Sequence, residues 1–581
     1  MVDLSLEQRL LRFLAREDED ERRSAEDLRA LSIEQRVLEG ECIQEAVFRG
    51  ASGGEGFEFE VAENLSKFRR GDALLVGDGR DFSGALGVVY HAYDASASRL
   101  LLRRSRFRRG AEARFEPGQS YCVDRKPLGV RGRLQDVVRE GFAAELVAEA
   151  LAGGTSMIHD ESRRQRARES LTARGLNPSQ VEAGAAAIAA ERLALIQGPP
   201  GTGKTRLLAE ILSALCNAGC RIALTAFTHR AVDNVLLALR RLDRRIDLVK
   251  LGTAQARDAE LRAAGVRFLE PRHGARLPAR GAVIGGTCFA LSRLPQRQGF
   301  HFTVFDEAAQ LPIPHAIAGM LLSQRWIFLG DHRQLPPVIT ARHADREVTV
   351  SVFEHLNALY GSQLLDLTYR MNDQVCAVVS DAFYAGALQS APPAAPRRMS
   401  FSPGGALDEV LDPERSAVLA RVDHLQPGTR SLEEANLVAD LVVELLQRHG
   451  VPATEVAVVT PFRAQVRALR SALQRTQLRE AEDVAIDTVE RIQGQEREVV
   501  IVSLAVGDPD TLSARAKFFF STNRLNVAMS RARTKAILVA SRGAFAALPH
   551  DPESLRAANV FKALYRRLPQ VDLSAVYGAR V

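Results

Sequence analysis

The octapeptide Gly198-Pro199-Pro200-Gly201-Thr202-Gly203-Lys204-Thr205 constrains this chain more than any other stretch. A short apolar run, 193–196, precedes it, and a segment of helical period carrying Leu207, Leu208, Ile211 and Leu212 follows. Strand, glycine loop and helix in that order make a phosphate-binding P-loop. Glycines omit the Cβ that would keep backbone N–H groups away from phosphates, and the helix N-terminus behind them favours negative charge. In this arrangement Lys204 reaches the β and γ phosphates and the Thr205 hydroxyl holds Mg²⁺. The implied ligand is a nucleoside triphosphate.

At 581 residues the chain has room for two to four domains, each with its own core. No run of about 18 apolar residues occurs, so no membrane span and no membrane partner are expected. The start, MVDLSLEQRL, has neither a basic region nor an apolar core, so no secretory signal is expected. Of the six cysteines only Cys216 and Cys220 are close. One turn apart on an amphipathic helix, with no second pair, they read as packing residues, and a reduced, cytoplasmic protein is expected. The net charge of +6 is unevenly placed. Between Leu101 and Arg133 stand ten Lys or Arg against three Asp or Glu, centred on Arg103, Arg104, Arg106, Arg108 and Arg109. Two readings of that patch stay open, a polyanion-binding surface and a solvated charged face.

Along the chain the texture changes three times. Residues 1–40 have helical period, 42–125 hold short β-type runs split by Gly, Asp and Ser, and helix returns over 134–151. This predicts a small β-barrel on a helical stalk, spanning 1–165. From 166 to 345, apolar runs at 193–196, 221–226, 282–285, 302–305 and 326–329 alternate with helices, which predicts an α/β domain with a parallel sheet. The pattern recurs over 346–581, with runs at 364–367, 418–422, 456–459, 499–504 and 536–539. A Pro/Gly-rich loop, 391–405, interrupts this second block, and no fixed-period repeat is present. Two α/β domains in tandem with one P-loop imply a nucleotide held in the cleft between them.

The run 302–305 ends in Asp306-Glu307-Ala308-Ala309-Gln310. A buried strand delivering two carboxylates at its C-terminus is a Walker B element: Asp306 holds Mg²⁺ through water, and Glu307 orients and deprotonates the attacking water. The run 326–329 leads into Gly330-Asp331-His332-Arg333-Gln334-Leu335-Pro336-Pro337. There Gln334 is placed to contact the γ-phosphate and report hydrolysis to the next domain, while His332 reads as structural.

DEAAQ, GDHRQLPP, LTYRMN (367–372), DTVERIQGQEREVVIVS (487–503) and NRLNVAMSRAR (523–533) follow one another in the order of the superfamily 1 helicases. The chain resembles the 5′→3′ branch that includes the nonsense-mediated-decay RNA helicase and the helicase half of the Okazaki-fragment nuclease-helicase. The resemblance covers about 176–545, and the stalk and barrel match that branch's accessory domain. It implies two RecA-like domains. It also implies that Gln180, in Asn177-Pro178-Ser179-Gln180, reads adenine, that Tyr369 stacks on the base, and that Glu496 binds the ribose. Arg370 and Arg531 resemble the two arginine fingers on the γ-phosphate, with Arg533 set aside by motif position.

For nucleic acid the resemblance implies contacts at Phe227, Thr228, His229 and Thr287 in the first domain. In the second it implies Pro461, Arg463, Thr488 and Gln493. Phe227 has two readings, base stacking and core filling. An aromatic there, where many RNA-acting members carry proline, tilts the expectation toward DNA. The nuclease and cysteine cluster of the DNA-acting relative, and the Cys/His-rich domain of the RNA relative, have no counterpart in the sequence. The basic segment 271–280 reads as a nucleic-acid contact or as a solvated loop, the loop being favoured. The expected function is a Mg²⁺- and ATP-dependent motor moving 5′→3′ on single-stranded nucleic acid, DNA favoured, RNA admitted. The alternatives are an RNA helicase or RNP remodeller and an ATP-gated clamp without unwinding. An AAA+-type machine, which takes its arginine from a neighbouring subunit, is disfavoured because Arg370 and Arg531 are in this chain.

Overall fold

The computed structural model describes residues 4–52, 56–68, 71–82, 84–94, 97–104, 115–126, 131–252, 258–270, 277–294, 299–492 and 494–578. Two compact units divide the chain, Met1–Arg139 with Ile339–Val348, and Glu140–Val338 with Thr349–Val581.

In the first unit a capping box, Ser5 with Gln8, starts the helix Leu6–Ala30, and a second, Ser32 with Gln35, restarts the chain as Ile33–Leu38. Strands β1 (Cys42–Ser52), β2 (Gly56–Glu60), β3 (Ala73–Gly77), β4 (Leu86–Asp94), β5 (Arg99–Arg104) and β6 (Ser120–Arg125) close into a barrel in the order β1-β2-β5-β4-β3-β6. Phe48, Phe59, Val88, Leu100 and Leu102 fill it, and the buried Arg36 guanidinium pairs with Asp124. Arg103 and Arg104 are exposed on β5, whereas Arg106, Arg108 and Arg109 lie outside the described residues. The segment Ile339–Val348 lies along the first helix. There the Glu17 carboxylate accepts from Ala341 N (2.8 Å), Thr340 Oγ1 (3.1 Å) and His343 Nε2 (2.9 Å), and Arg9 bonds Asp345.

The second unit holds two all-parallel sheets. The first contains β7 (Leu193–Gln197), β8 (Arg221–Ala226), β9 (Asp247–Leu251), β10 (Arg267–Leu269), β11 (Ala282–Thr287), β12 (Phe302–Phe305), β13 (Trp326–Gly330) and β14 (Gln363–Leu364). Their order is β10-β9-β11-β8-β12-β13-β7-β14, so the loops after β12, β13 and β7 lie side by side. A small pair, β15 (Leu367–Thr368) and β16 (Gln389–Ser390), leads to the second sheet. That sheet contains β17 (Ala417–Arg421), β18 (Val456–Thr460), β19 (Ala485–Thr488), β20 (Arg497–Ser503), β21 (Ala532–Ala540) and β22 (Gln570–Asp572), in the order β19-β18-β20-β21-β17-β22. Strands covered by helices on both faces need side chains that tolerate burial throughout, which is why β12, β13 and β18 are fully buried and apolar but for Thr303 and Thr460.

Three local expectations change. The run 364–367 is not one strand of the second sheet: Gln363–Leu364 adds to the first sheet beside β7, and Leu367–Thr368 pairs with β16. The helical stretch 134–151 breaks at Ala144, whose extended backbone separates Arg131–Ala143 from Glu145–Ala152. Cys220 is not on the helix of Cys216. That helix, Lys204–Asn217, ends before Gly219, whose φ of +83° turns the chain into β8.

Phe305 and Phe328 stack at 4.2 Å with an 8° interplanar angle under the helix Ile313–Met320, where Gly319 makes the closest approach. A Cβ on Gly319 would lie 2.7 Å from a Phe305 ring carbon. Gly319→Ala gains about 1 kcal/mol of helix propensity, but overpacking against a locked ring costs about 1–3 kcal/mol. The expected outcome is a net loss of about 1 kcal/mol, read as a lower urea midpoint.

Candidate active site

The P-loop turns from β7 into the helix Lys204–Asn217 through Gly201 and Gly203, at φ +74° and +79°. Lys204 Nζ folds back to donate to the carbonyls of Gly198 and Pro199, bonds that a phosphate can replace. Thr202 Oγ1 donates to Pro199 O, and Thr205 lies exposed on the first helical turn. Pro200 O accepts from Thr368 Oγ1 at 2.8 Å. Gln180 is buried behind the loop. Its amide oxygen accepts from Asn177 N (3.1 Å) and its Nε2 donates to Thr202 O (2.9 Å), so it braces the P-loop as well as standing where a base edge is expected.

Asp306 and Glu307 follow β12, and Asp306 N donates to Thr225 O on β8 at 2.8 Å. Glu307 has the left-handed backbone, φ +49°, which a bulky residue adopts only where its surroundings hold it. Burial, and then the Glu307 charge, push the Asp306 carboxyl up to about 7. A buried carboxyl beside a second, half-buried one favours a cation. Together with the exposed Thr205 hydroxyl, these are oxygen donors of the kind a hard divalent ion such as Mg²⁺ takes. Asp408, Glu444 and His449 also bring ligand atoms within 4.8 Å of one another. There, however, His449 Nδ1 accepts from Ser402 N at 3.0 Å, which leaves the ring proton on Nε2 and no lone pair for a metal.

The second domain presents its own groups to the P-loop. Tyr369 N donates to Gly201 O at 2.9 Å, and the Tyr369 hydroxyl accepts from Asn177 Nδ2 at 3.0 Å. Arg370 bonds Glu496 Oε2 (2.8 Å) and Ser530 O (3.0 Å). Arg531 is buried, donating to Val527 O (3.1 Å) and reaching Gln334 Oε1 at 3.5 Å. Burial, then the nearby Arg370 charge, lower the Arg531 guanidinium to about 9, still charged at neutral pH but in want of an anion. Arg533 bonds Glu455 at 2.8 Å and lies 4.0 Å from the other oxygen of Glu496.

Phe227, Thr228 and His229 follow β8, and Thr287 ends β11. Thr228 and Thr287 cap helices, accepting from Ala231 N and Ala290 N. Phe227 and Phe289 both meet the His315 ring edge-on, at 6.0 and 5.0 Å. Pro461 and Arg463 follow β18, and Thr488 ends β19. These seven residues thus share the C-terminal edges of the two sheets, while Gln493 lies outside the described residues, as do 271–276 of the basic segment. Sequence reasoning gave no role to Thr368, Tyr384, Asn523 or Asn526. The two asparagines lie within NRLNVAMSRAR and could have been found there, but Tyr384 carries no sequence signal.

Two all-parallel α/β sheets, one P-loop, a strand-end carboxylate pair and two arginines reaching in from beyond the first sheet make the site of an ATP-hydrolysing enzyme, and the arrangement resembles that of the superfamily 1 helicases. Comparison with known proteins agrees. One family model, described as an AAA domain, matches 175–271 and 279–342, and a second of the same description matches 348–543. The chain is similar to the DNA replication ATP-dependent helicase/nuclease JHS1 of Arabidopsis thaliana, 27% identical over 65% of this chain and 29% of that one. The corresponding DNA2 protein of Saccharomyces cerevisiae is 28% identical over 64% of this chain and 26% of its own. This chain therefore spans only about a quarter to a third of the length of these relatives. Among solved structures, the arterivirus nonstructural protein 10 helicase with DNA aligns over 84% of this chain and 76% of its own, at 15% identity and a TM-score of 0.38, a likeness too slight to bear on the fold. No described helix is long and apolar enough to cross a membrane.

A Cβ on Gly201 would lie 2.5 Å from both Arg370 Cβ and Thr368 Oγ1, on a backbone that L-residues rarely adopt. Gly201→Ala is expected to keep the fold but part the cleft, lowering ATP turnover at least about 10-fold, a barrier rise of about 1.4 kcal/mol. Steady-state hydrolysis checks this, beside a thermal melt that falls by no more than a few degrees.

Proposed function

We propose that the chain is an ATP-driven motor that moves 5′→3′ on single-stranded nucleic acid, DNA by preference, and separates duplex ahead of it. The observation that carries the proposal is the composition of the cleft: Lys204, Asp306 and Glu307 follow strands of the first sheet, Arg370 follows β15, Arg531 precedes β21 of the second sheet, and all belong to this chain.

In this reading the ATP phosphates take the place of the Gly198 and Pro199 carbonyls at Lys204 Nζ. Thr205 and Asp306 would hold Mg²⁺, which when bound neutralises charge on the phosphate oxygens. Glu307 orients the attacking water and accepts its proton. Arg370 and Arg531 stabilise charge on the transferring phosphoryl group, and both come from the far side, so hydrolysis requires the sheets to be docked. Tyr369, Gln180 and Glu496 hold the base and ribose, and Gln334 meets the γ-phosphate.

Single-stranded nucleic acid crosses the strand ends that carry Phe227, Thr228, His229 and Thr287 on one sheet and Pro461, Arg463 and Thr488 on the other, and Gln493 is assigned to the same strand of polymer by motif alone. Hydroxyls and helix N-termini suit backbone phosphates, and the ring at 227 suits a base. Phe227 supports DNA, as do the relatives, which are named as DNA replication helicase/nucleases. The domain limits 1–165, 166–345 and 346–581 belong to the same reading, as does a reducing, cytoplasmic compartment, in keeping with six free cysteines.

The test is ATP hydrolysis without polymer, with single-stranded DNA and with single-stranded RNA, at low and moderate salt. DNA is expected to stimulate the wild type, and Lys204→Ala and Glu307→Gln are expected to lose at least about 100-fold. Duplexes with a 5′ or a 3′ tail then report direction, the 5′ tail supporting displacement. Stimulation by RNA alone would make the chain an RNA helicase. Polymer binding with no hydrolysis above the two variants would make it a clamp.

A further inference from the structure

Asp331, at the end of β13, is buried and has no part in the phosphate chemistry above. Its carboxylate nevertheless accepts four hydrogen bonds. Gln197 Nε2, at the foot of the P-loop, donates at 3.1 Å, and Arg333 N at 3.2 Å. Gln334 Nε2 and the Tyr384 hydroxyl both donate to Oδ2 at 2.7 Å. Tyr384 belongs to the second domain, directly after the helix Asp373–Phe383. Its oxygen also accepts from Asn526 Nδ2 at 2.8 Å, and that amide donates to Arg333 O at 2.7 Å. Asn526 lies on the helix Thr522–Met529, whose end leads to Arg531, and Arg531 faces Gln334 Oε1. Burial, then the Asp331 charge, push the Tyr384 phenol well above its usual range, so it keeps the proton it donates.

The centre of the network is buried, and it joins the P-loop strand, the Gln334 loop and the second domain through one carboxylate. Gln334 is the member that meets both the carboxylate and the arginine: with Nε2 held on Asp331, Oε1 faces Arg531. Remove the phenol, and Oδ2 keeps only the Gln334 amide of its two donors, so the carboxylate is free to shift and to carry that amide with it.

We propose that Tyr384 and Asp331 are positioning residues for hydrolysis: the phenol–carboxylate bond, made only when the second domain is docked, fixes the Gln334 amide toward the γ-phosphate and Arg531. The proposal rests on the reading of this cleft as the ATP site. It makes Gln334 the recipient of the docking signal as well as a reporter of hydrolysis, and it gives the second domain a hold on the first domain's chemistry besides its arginines.

The experiment measures kcat and KM for ATP with saturating single-stranded DNA in wild type, Tyr384→Phe, Asp331→Asn, their double variant and Asn526→Ser, each beside a thermal melt. Tyr384→Phe is expected to lower kcat about 10-fold, the size of a lost hydrogen bond to a charged group, with KM within about 2-fold and the melt lowered by no more than a few degrees. The double variant should be no worse than the poorer single one, since both act through one bond, and Asn526→Ser should show the same kcat–KM split. If wild type hydrolyses ATP and Tyr384→Phe turns over as fast, this inference falls alone. It falls as well if the two single effects add in full, or if kcat recovers when the variants are assayed well below their melting temperatures. A wild type that does not hydrolyse ATP overturns both this inference and the reading beneath it.

Discussion

Charge held away from water is the constraint on which the second unit depends. Asp306 is buried beside Glu307 with its carboxyl raised, and Arg531 is buried near Arg370 with its guanidinium lowered. Like charges lie together on each side of the cleft and are only partly offset, by the Arg370–Glu496 ion pair and by the Glu307 charge that reaches Arg531. Uncompensated ionised groups in an interior cost several kcal/mol each. A polyanion bearing a divalent cation offsets both sides together, its phosphate oxygens meeting the arginines and its metal the carboxylates.

Holding such groups in place requires a stiff frame, and parallel sheets supply one. With β12, β13 and β7 adjacent, the carboxylate pair, the Gln334 loop and the P-loop leave the sheet at one edge in that spatial order. The residues at those strand ends have little freedom, because the strands below them are buried on both faces. Glu307 shows what this rigidity achieves: its left-handed backbone persists because Ala308 and Ala309 continue at once into a short buried helical turn. The second sheet uses its own edge in the same way, setting Pro461, Arg463 and Thr488 beside one another.

Much of this was legible in the sequence, for reasons that can be located. The P-loop, Asp306-Glu307 and the strands β7, β8, β11, β12, β13, β18 and β20 all depend on local apolar runs and on loop chemistry a few residues long. Strand β9 was missed because Lys250 interrupts its apolar pattern. The structure buries that lysine between Asp233 at 2.6 Å and Asp258 at 2.9 Å, neutralising it with residues the one-dimensional pattern could not bring there. The short strands β14 and β15 were merged because both lie within one stretch, although they pair with partners as distant as Leu193–Gln197 and Gln389–Ser390. Tyr384 was invisible for the same reason: an aromatic beside a helix end is ordinary until its hydroxyl is seen to meet Asp331.

The surface between the two sheets is built largely from hydrogen bonds to backbone carbonyls. Tyr369 N donates to Gly201 O, Thr368 Oγ1 to Pro200 O, Asn523 Nδ2 to His332 O and Gln334 O, and Asn526 Nδ2 to Arg333 O. Each such bond is worth only about 0.5–1.5 kcal/mol net, because water replaces it on opening. An apolar seam of the same extent would gain about 25 cal/mol for each Å² buried and would hold the sheets together whatever the cleft contained. A polar seam leaves opening and closing within a few kcal/mol of each other, so a ligand that binds only the closed form can decide between them. The P-loop's glycines serve this balance too, since at Gly201 any side chain would stand between the loop and Arg370.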